Sequence, residues 1–576
     1  MDYKEKYLNW VNNDYFDDET REELKKIADN EKEIEDRFFK ELDFGTGGLR
    51  GVIGAGTNRL NIYTISKATQ GLANYILKES EEAKNAGVCI AYDSRRFSTL
   101  FAKTAALVLN GNGIKTYLFE TLRPTPTLSF AIRELNATAG IVVTASHNPP
   151  EYNGYKVYWS DGGQVPFPRD NEIITEVNAI TDFSMVKKLT EEEATQQNLF
   201  NIIGKEIDDK YVEKVKEQLV NKELVTQSGK DLNIVYTPLH GTGNILVRRV
   251  LDEVGFKNVF VVPEQELPDE NFSTVGYPNP EDPNVFKLGI ALGEEHNADL
   301  ILATDPDCDR IGVVIKNDAG ESIVLTGNMV GVLITDYLIK QNKSNNTMPK
   351  NPAVISTIVS TDMTKAIAEK NNITYIDVLT GFKYIGEKIK EFEISGSNNF
   401  LFGFEESYGA LAGTYARDKD AVVIAMLVCE MALYYKAKGM NLYDGLQQLY
   451  KEYGFFKESI ETITLKGIDG LNDMKKIMTS LRENPPKSID GTKIISLKDY
   501  SIGKEINFVV NATKNFDMPK SDVLYFDLGE GSWFCVRPSG TEPKIKIYFG
   551  IKGENNADAD SKLKSFSESV MKLIQI

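Results

Sequence analysis

The chain has 576 residues, which is too long for one hydrophobic core and predicts three or four domains. Hydrophobic residues make up 41% and charged residues 26%, the balance of a globular protein rather than of a disordered chain. The 66 Lys and Arg residues and the 84 Asp and Glu residues leave a net charge of −18, which argues against nucleic acid or an anionic membrane as a partner. Any anionic substrate must therefore meet basic residues that cluster locally.

The N-terminus and the cysteines predict a cytoplasmic location. The first residues, MDYKEKYLNWVNND, lack the apolar core of a signal peptide, and the most apolar run, AVVIAMLVCEMALYY, is interrupted by Glu430. The four cysteines are far apart and form no CxxC pair, so the sequence indicates neither a disulfide framework nor a zinc site. We expect a protein that is neither exported nor inserted in a membrane.

The predicted elements begin with one or two solvent-facing helices in residues 1–40, where apolar residues recur at helical intervals among charged ones. Beyond them, a pattern of strand, polar loop, helix and strand recurs, beginning with GVCIAYDSRR, with LNIVYTPLHGTG and, more faintly, with NPAVISTIVSTDM. Three similar α/β domains are therefore predicted. Residues 456–576 show mostly strand patterns and end in a helical tail, which predicts a smaller α+β domain.

The loops that follow buried strands are the predicted ligand sites, because ligands bind at the carboxyl ends of strands in open α/β sheets. The first such loop, TASHNPPEYNG, follows the apolar run AGIVV and places Ser146 where the strand ends. A serine acts as a nucleophile or phosphate carrier when a base or an electrophile adjoins it, and His147, Arg50 and Lys156 are candidates for that neighbour. The alternative is an ordinary Ser-His-Asn turn that caps a helix.

The second loop, in ADLILATDPDCDRIGVV, carries aspartates at alternate positions: Asp305, Asp307 and Asp309. Three carboxylates that converge repel one another unless a cation lies among them, and oxygen ligands favour Mg²⁺ over zinc. Arg310 follows directly and adds a cation that can bind phosphoryl oxygens through two donors. The alternative is a solvated acidic loop with a turn at Pro306.

The third loop, in NFLFGFEESYGALAG, carries Glu405, Glu406 and Ser407 between glycines. Carboxylates beside a hydroxyl suit the recognition of sugar hydroxyls, whereas the alternative is a helix start at which the two glutamates favour the positive end. The sequence RDKD follows soon after and brings Lys419.

The fourth loop, VRPSGTEPKIKIYFG, packs two cations and two hydroxyls between two predicted strands. Its candidates for binding are Arg537, Ser539, Gly540, Thr541 and Lys544. Glycine lets backbone N–H groups turn toward a ligand, while the basic residues neutralise negative charge, so the loop suits a phosphate group. A plain hairpin turn explains the proline and the glycine but does not require two cations and two hydroxyls.

Together these loops predict phosphoryl transfer. The sequence has no GxxxxGK[ST] loop, no protein-kinase motif set and no GxSxG around Ser146. An enzyme without a nucleotide site can store the phosphoryl group on a serine beside a metal. A non-catalytic sensor of sugar phosphates is the alternative from another class, although binding alone does not require a serine, a metal loop and Lys156 together.

The motifs TASHNP, DPDCDR, GFEES and RPSGTEPK, in this order, resemble the four signatures of the α-D-phosphohexomutase superfamily. The resemblance covers nearly the whole chain. It implies three related mixed α/β domains and a C-terminal α+β domain of the TATA-binding-protein-like type, arranged around a central cleft. We expect these domains at 1–205, 206–324, 325–455 and 456–576.

The resemblance also implies roles for the motif residues. Ser146 matches the phosphoserine, whose phosphoryl group joins the three aspartates in holding Mg²⁺. Arg50 and Lys156 match groups near the reacting phosphoryl group, with Lys156 as the general acid/base and His147 beside the serine. The residues expected to bind the sugar or its phosphates are Arg310, Lys383, Glu405, Ser407, Lys419, Arg537, Ser539, Gly540 and Thr541.

The sequences LTGFKYIGEKI and ARDKDAV resemble the phosphoglucomutase and phosphopentomutase branch. The phosphomannomutase/phosphoglucomutase branch usually has a histidine after the lysine, where this chain has Tyr384 after Lys383, which argues against mannose phosphates as preferred substrates. The implied activity is the interconversion of glucose 1-phosphate and glucose 6-phosphate through glucose 1,6-bisphosphate, which also acts as the activator. A monomer or weak homodimer is expected. Phosphopentomutase, phosphomannomutase and glucose 1,6-bisphosphate synthase are the alternatives.

Overall fold

The computed structural model describes residues 2–45, 47–465, 467–539 and 544–574, without the side chains of residues 467–469 and 471. The chain divides into two compact units, and it passes between them more than once. The first unit contains Met1–Leu325, Ile385–Gly396 and Tyr408–Ala437, and the second contains Thr326–Tyr384, Ser397–Ser407 and Lys438–Ile576.

The N-terminal region contains three helices, Tyr3–Asn12, Asp18–Lys25 and Glu31–Phe38. The sequence predicted one or two solvent-facing helices, whereas three are present and their aromatic residues form a buried cluster of their own. Trp10 stacks on Phe16 with ring centroids 4.1 Å apart. The helices therefore bury aromatic side chains against one another, although the sequence around those side chains is highly charged.

A six-stranded sheet forms the core of the region that follows. In spatial order its strands are Gly48–Val52, Tyr152–Trp159, Ala139–Val143, Val88–Tyr92, Thr116–Phe119 and Phe200–Ile203. The first two junctions are antiparallel and the other three are parallel. Ala139–Val143 and Val88–Tyr92 are buried along their whole length, as expected of parallel strands covered on both faces.

Helices accompany this sheet, and apolar residues of several of them pack against it. They are Ile62–Glu79, Glu81–Ala86, Ser98–Gly111, Thr125–Glu134, Arg169–Asn178 and Glu191–Gln196, with a 3₁₀ turn at Phe183–Met185.

A five-stranded sheet follows in the same unit. In spatial order its strands are Ser322–Leu325, Ile311–Lys316, Leu300–Thr304, Asn233–Thr237 and Asn258–Val261. Its helices are Lys205–Lys216, Lys222–Ser228, Gly243–Val254, Pro263–Glu266 and Lys287–Glu295, with 3₁₀ turns at Gly229–Asp231 and Pro283–Phe286.

The first unit also contains the short strand Ala410–Ala412 and the apolar helix Ala421–Lys436. Glu430 lies within this helix and is buried, and its carboxylate accepts hydrogen bonds from the backbone N–H groups of Val220 and Asn221. The apolar run thus packs inside the protein. Among the described residues, no helix combines the length and the apolar character needed to cross a membrane.

The second unit begins with a parallel sheet in which Pro352–Thr357 lies between Thr374–Val378 and Asn399–Phe404. Its helices are Gly327–Asn345, Met363–Asn371 and Leu442–Tyr453, and the helix Phe382–Ser395 begins in this unit and ends in the first. All three strand, helix and strand repeats predicted from the sequence are therefore present.

An antiparallel sheet of seven strands completes the second unit. In spatial order its strands are Phe455–Thr464, Lys544–Gly553, Ser532–Pro538, Leu524–Gly529, Ser496–Asp499, Lys504–Asn507 and Ala512–Asn515. A small hairpin, Ser488–Ile489 with Thr492–Lys493, and the helices Gly467–Glu483 and Asn556–Ile574 accompany it. The strands and the helical tail agree with the predicted α+β domain, whereas the helix Gly467–Glu483 was not anticipated.

Candidate active site

Ser146 lies where the buried strand Ala139–Val143 ends and opens into its loop. Its backbone has a φ of +52°, in the left-handed region that a residue with a side chain rarely adopts. Its N–H donates to Thr144 Oγ1 at 2.8 Å, and the Thr144 hydroxyl donates to Asp93 Oδ2 at 2.6 Å. This chain of hydrogen bonds over-determines the strained conformation and fixes the direction of the serine side chain.

Arg95 fixes the backbone of the loop that carries Ser146 through hydrogen bonds to its carbonyl oxygens. It is only 3% exposed, and its Nε lies 3.3 Å from Asp93 Oδ2. The guanidinium donates to four loop carbonyl oxygens, those of Ser146, Asn148, Pro149 and Tyr152. Arg95 was not among the residues predicted from the sequence, although DSRR follows a predicted strand as the four predicted ligand loops do. The position of Arg95 after a strand marked it as a candidate, but the sequence could not show which backbone carbonyl oxygens would accept its hydrogen bonds.

The three predicted aspartates do converge. They follow the buried strand Leu300–Thr304, and Cys308 turns the loop with a φ of +54°. One oxygen from each of Asp305, Asp307 and Asp309 lies within 4.8 Å of the others. The three side chains are buried, so their mutual repulsion is weakly screened.

This acidic cluster fits a metal ion. Among the described residues, Asp307 Oδ1 and Asp309 Oδ1 are buried without a hydrogen-bond partner, which is costly for a carboxylate. Burial and then the neighbouring charge of Asp307 raise the pKa of Asp305 well above its usual value. A cation bound to the three side chains would pair the two orphan oxygens and relieve the repulsion, and oxygen-only donors suit a hard divalent ion.

The serine and the acidic cluster meet directly. Ser146 Oγ donates to Asp305 Oδ2 at 2.7 Å and lies 3.2 Å from His147 Nδ1. The other oxygen of Asp305 accepts the backbone N–H groups of Asp309 and Arg310, at 3.1 and 3.0 Å. One carboxylate therefore joins the two predicted loops, which are separated by 159 residues in the chain.

Two lysines balance part of the negative charge. Lys156 Nζ donates to Asp307 Oδ2 at 2.9 Å, and Lys419 Nζ lies 3.1 Å from Asp309 Oδ2. Burial by itself would raise the pKa of Asp307, but the charge of Lys156, the hydrogen bonds with Asp305 and Lys156 and the charge of Lys419 together outweigh burial and lower that pKa below the ordinary range. Asp307 therefore stays ionised, as a metal ligand must.

The strand Tyr152–Trp159 places Lys156 beside the serine loop. A Cβ added at Gly154 would lie 2.4 Å from the carbonyl oxygen of Thr144, so only glycine permits this approach. Arg50 is paired in register with Gly154 and is exposed on the strand Gly48–Val52, on the same face as Lys156. Its guanidinium Nη1 donates to Asn148 Oδ1 at 3.4 Å.

His147 and Arg310 lie at the rim of the same site. Loss of solvation, followed by the positive charge of Arg310, lowers the pKa of His147 well below its usual value, so the imidazole is neutral at pH 7. Arg310 Nη1 donates to Glu281 Oε1 at 2.7 Å. Glu281 is a second contact that sequence analysis missed, because it is 29 residues distant in the chain.

The remaining predicted residues belong to the second unit. Glu405 is buried and its Oε1 accepts the N–H of Gly381 at 2.8 Å, which brings it to the start of the helix that carries Lys383. Ser407 is half-buried and follows the strand Asn399–Phe404.

The phosphate-binding loop predicted from the sequence is described only in part. Arg537 lies at the end of the strand Ser532–Pro538, and the N–H of Ser539 donates to the carbonyl oxygen of Lys544 at 2.7 Å. Gly540 and Thr541 lie outside the described residues.

Comparison with known proteins assigns most of the chain to one class. Models of the phosphoglucomutase/phosphomannomutase alpha/beta/alpha domains I, II and III match residues 41–183, 209–320 and 326–453, and the model of the C-terminal domain matches 500–559. The chain belongs to the phosphoglucomutase/phosphomannomutase family.

Individual relatives and structures agree with this assignment. Phosphoglucomutases of Staphylococcus aureus strains MRSA252 and N315 are 37% and 36% identical over 544 residues, 94% of this chain and 96% of theirs. A putative phosphomannomutase from Thermus thermophilus superposes with a TM-score of 0.65 at 22% identity, covering 93% of this chain and 99% of its own. The Paramecium phosphoglucomutase parafusin gives 0.67 at 18% identity, covering 93% and 94%. The predicted superfamily, fold class and enzyme class are confirmed.

The contacts of Arg95 predict a defect in turnover when this residue is replaced by lysine. The ammonium group of a lysine at position 95 lacks the planar, forked set of donors with which the guanidinium reaches four carbonyl oxygens. We therefore expect the loop that carries Ser146 to shift in the variant. Because a misplacement of about 1 Å can cost about 10²-fold in rate, we expect Arg95→Lys to lower kcat by about that factor with little change in KM. Steady-state kinetics and circular dichroism of the folded variant test this.

Arg96→Lys is the matched control, because Arg96 is the next residue, is exposed and stacks on the ring of Phe97 rather than on the loop. Equal kcat values for the two variants would contradict the positioning role of Arg95.

Proposed function

We propose that the protein interconverts glucose 1-phosphate and glucose 6-phosphate, with a phosphoryl group carried on Ser146 and glucose 1,6-bisphosphate as the intermediate. The observation that carries the proposal is the contact of 2.7 Å between Ser146 Oγ and Asp305, within a buried acidic cluster that has unpaired oxygens. A serine hydroxyl beside carboxylates that can bind a cation is positioned to accept a phosphoryl group from a substrate and to return it. Relatives named phosphoglucomutase, at 37% identity over 94% of the chain, support the same function.

We infer that the ion is Mg²⁺ and that Asp305, Asp307 and Asp309 hold it together with an oxygen of the phosphoryl group on Ser146. When bound, it withdraws negative charge from the phosphoryl oxygens. The oxygen-only donor set supports Mg²⁺ over softer metals. Thr125 orients the site, since its hydroxyl donates to Asp307 Oδ2 at 3.2 Å and its N–H to the Asp307 carbonyl oxygen at 2.9 Å.

In the transfer step, the bond between phosphorus and Ser146 Oγ breaks and a bond to a sugar hydroxyl oxygen forms. We assign Lys156 as the general acid/base that exchanges the proton of that sugar hydroxyl, because its Nζ lies among the aspartates with a defined partner at 2.9 Å. Neutral His147, whose Nδ1 lies 3.2 Å from the serine oxygen, can donate a hydrogen bond to that oxygen in the tautomer with a proton on Nδ1, while the free hydroxyl donates to Asp305 between transfers. Arg50 and Arg310 supply positive charge for the phosphoryl oxygens.

The substrate-binding roles are proposed from the family motifs. Glu405 and Ser407 would bind sugar hydroxyls, with Lys383 and Lys419 contributing positive charge. The phosphate that is not being transferred would be bound by Arg537, Ser539, Gly540 and Thr541. We further propose that the four domains divide near residues 205, 324 and 455, and that the protein acts in the cytoplasm as a monomer or weak homodimer.

Substrate preference is tested by comparing kcat/KM for the 1-phosphates of glucose, mannose, ribose and glucosamine, each with its bisphosphate supplied. We expect glucose 1-phosphate to have the highest value. A higher value for ribose 1-phosphate would replace the proposal with phosphopentomutase. Release of glucose 1,6-bisphosphate as the main product would replace it with the synthase.

The nucleophile is tested by Ser146→Ala. Without the hydroxyl there is no carrier for the phosphoryl group, so we expect turnover to fall by roughly 10³-fold or more. Intact-mass spectrometry after incubation with glucose 1,6-bisphosphate should show one added phosphoryl group on the unaltered protein and none on the variant.

Ser184→Ala, at an exposed serine of the same unit, serves as the control and should retain both the added mass and the activity. Normal turnover of Ser146→Ala with the bisphosphate supplied would reject the assignment.

The acidic cluster is tested by Asp307→Asn, which removes a charge but little volume. We expect the Mg²⁺ concentration for half-maximal activity to rise roughly tenfold or more, by analogy with other changes around metal sites. The thermal shift that Mg²⁺ produces in the unaltered protein should also diminish, because binding to the native state adds to stability.

Asp318→Asn, at an exposed aspartate of a surface turn, should leave both measurements unchanged. The metal assignment fails if Asp307→Asn and the unaltered protein give the same Mg²⁺ titration.

A further inference from the structure

We propose that Glu281 is an exchangeable counter-ion of Arg310, which pairs with the guanidinium until a phosphoryl group of the substrate displaces it. This inference rests on the proposed function and adds to it a residue that sets how tightly the site holds phosphoryl groups. Glu281 would then weaken the hold of this part of the site on a phosphoryl group, and so favour departure of the product at the end of each turnover.

The ion pair is direct but not deeply buried. Arg310 Nη1 lies 2.7 Å from Glu281 Oε1, and the two side chains are 18% and 36% exposed. An ion pair that water still reaches is weak, typically no more than about 1 kcal/mol. A phosphoryl group, which carries more charge than a carboxylate and fits the same planar fork, can therefore compete for the guanidinium.

The backbone around Glu281 holds its carboxylate in place. The N–H of Glu281 donates to Asn279 Oδ1 at 3.1 Å, and three prolines, at 278, 280 and 283, restrict the turn. A Cβ on Gly312 would lie 2.7 Å from the carbonyl oxygen of Pro280, so the turn packs closely against the strand that begins just after Arg310. The position of the turn therefore keeps Glu281 close to Arg310, so the contact does not depend only on the conformations of two long side chains.

The same turn adjoins the serine. The ring of Tyr277 meets the ring of His147 edge-on, with centroids 5.9 Å apart, and His147 Nδ1 lies 3.2 Å from Ser146 Oγ. The N–H of Arg310 binds the carboxylate of Asp305, which also accepts the serine hydroxyl. Glu281 therefore places a negative charge at the edge of the site where the phosphoryl group is transferred, although no step of the transfer uses it.

A simpler interpretation is that Glu281 orients Arg310 for catalysis. The two interpretations predict opposite effects when the charge of Glu281 is removed. If Glu281 competes with phosphate, Glu281→Gln should tighten anion binding. If it orients the arginine, the same change should weaken binding, since a neutral amide holds the guanidinium less firmly.

The experiment is a double-mutant cycle with inorganic phosphate as the probe and the full-length protein with Mg²⁺. The dissociation constant is measured by calorimetry for the unaltered protein, Glu281→Gln, Arg310→Gln and the double variant. We expect Glu281→Gln to lower the dissociation constant about two- to fivefold, which is the size of effect of a partly exposed ion pair. In the Arg310→Gln background the same substitution should have no effect.

Asp282→Asn is the matched control, because Asp282 is the next acidic residue but accepts its hydrogen bonds from Asn284. It should bind phosphate as the unaltered protein does. Glu281→Asp, which keeps the charge, should bind at least as weakly as the unaltered protein if it still reaches Arg310. With glucose 1-phosphate as substrate, we expect Glu281→Gln to lower KM by a similar factor without raising kcat.

Unchanged or weaker phosphate binding by Glu281→Gln, or an equal effect with Arg310 removed, would overturn the inference. Phosphate binding does not require turnover, so the cycle can be read even if the protein proves inactive on every sugar phosphate tested. That second result would defeat the proposed function and leave the counter-ion inference standing.

Discussion

The site depends on the carboxylate of Asp305. One of its oxygens accepts the hydroxyl of Ser146, and the other accepts the backbone N–H groups of Asp309 and Arg310. It thereby connects the loop that follows Ala139–Val143 to the loop that follows Leu300–Thr304. Each loop belongs to a different sheet, so this single side chain sets the distance between the proposed nucleophile and the proposed metal ligands.

Charge balance explains the composition of the site. Three buried carboxylates in contact would destabilise the fold if they had no compensation. Lys156 and Lys419 each neutralise one of them, and two carboxylate oxygens still have no hydrogen-bond partner among the described residues. The fold thus carries a destabilising cluster before any cation binds, and the bound ion would offset part of that cost. At the edge of the site, Glu281 balances the charge of Arg310 in the same way, through an ion pair that is more exposed to solvent and therefore weaker.

Backbone strain accompanies this arrangement. Ser146 and Cys308 both adopt positive φ, at the turning points of their loops. Neither residue would prefer this conformation alone, and the network of Thr144, Asp93 and Arg95 holds the first of them. Strain concentrated beside the reacting groups is typical of functional sites, because the surrounding structure must specify the position of each side chain.

Much of this protein was determined by local sequence. The alternation of buried strand, polar loop and helix predicted the three repeats, and the motifs around Ser146 and Asp305 singled out two loops that the structure brings into contact, because local patterns record both burial and the chemistry of each loop. Tertiary structure alone decided which distant groups meet. Arg95 binds carbonyl oxygens about fifty residues away, Glu281 reaches Arg310 from another loop, and the N-terminal helices bury aromatic residues within a charged sequence. These contacts join positions far apart in the chain, and their partners are often backbone atoms, which every residue carries and which no sequence pattern can distinguish.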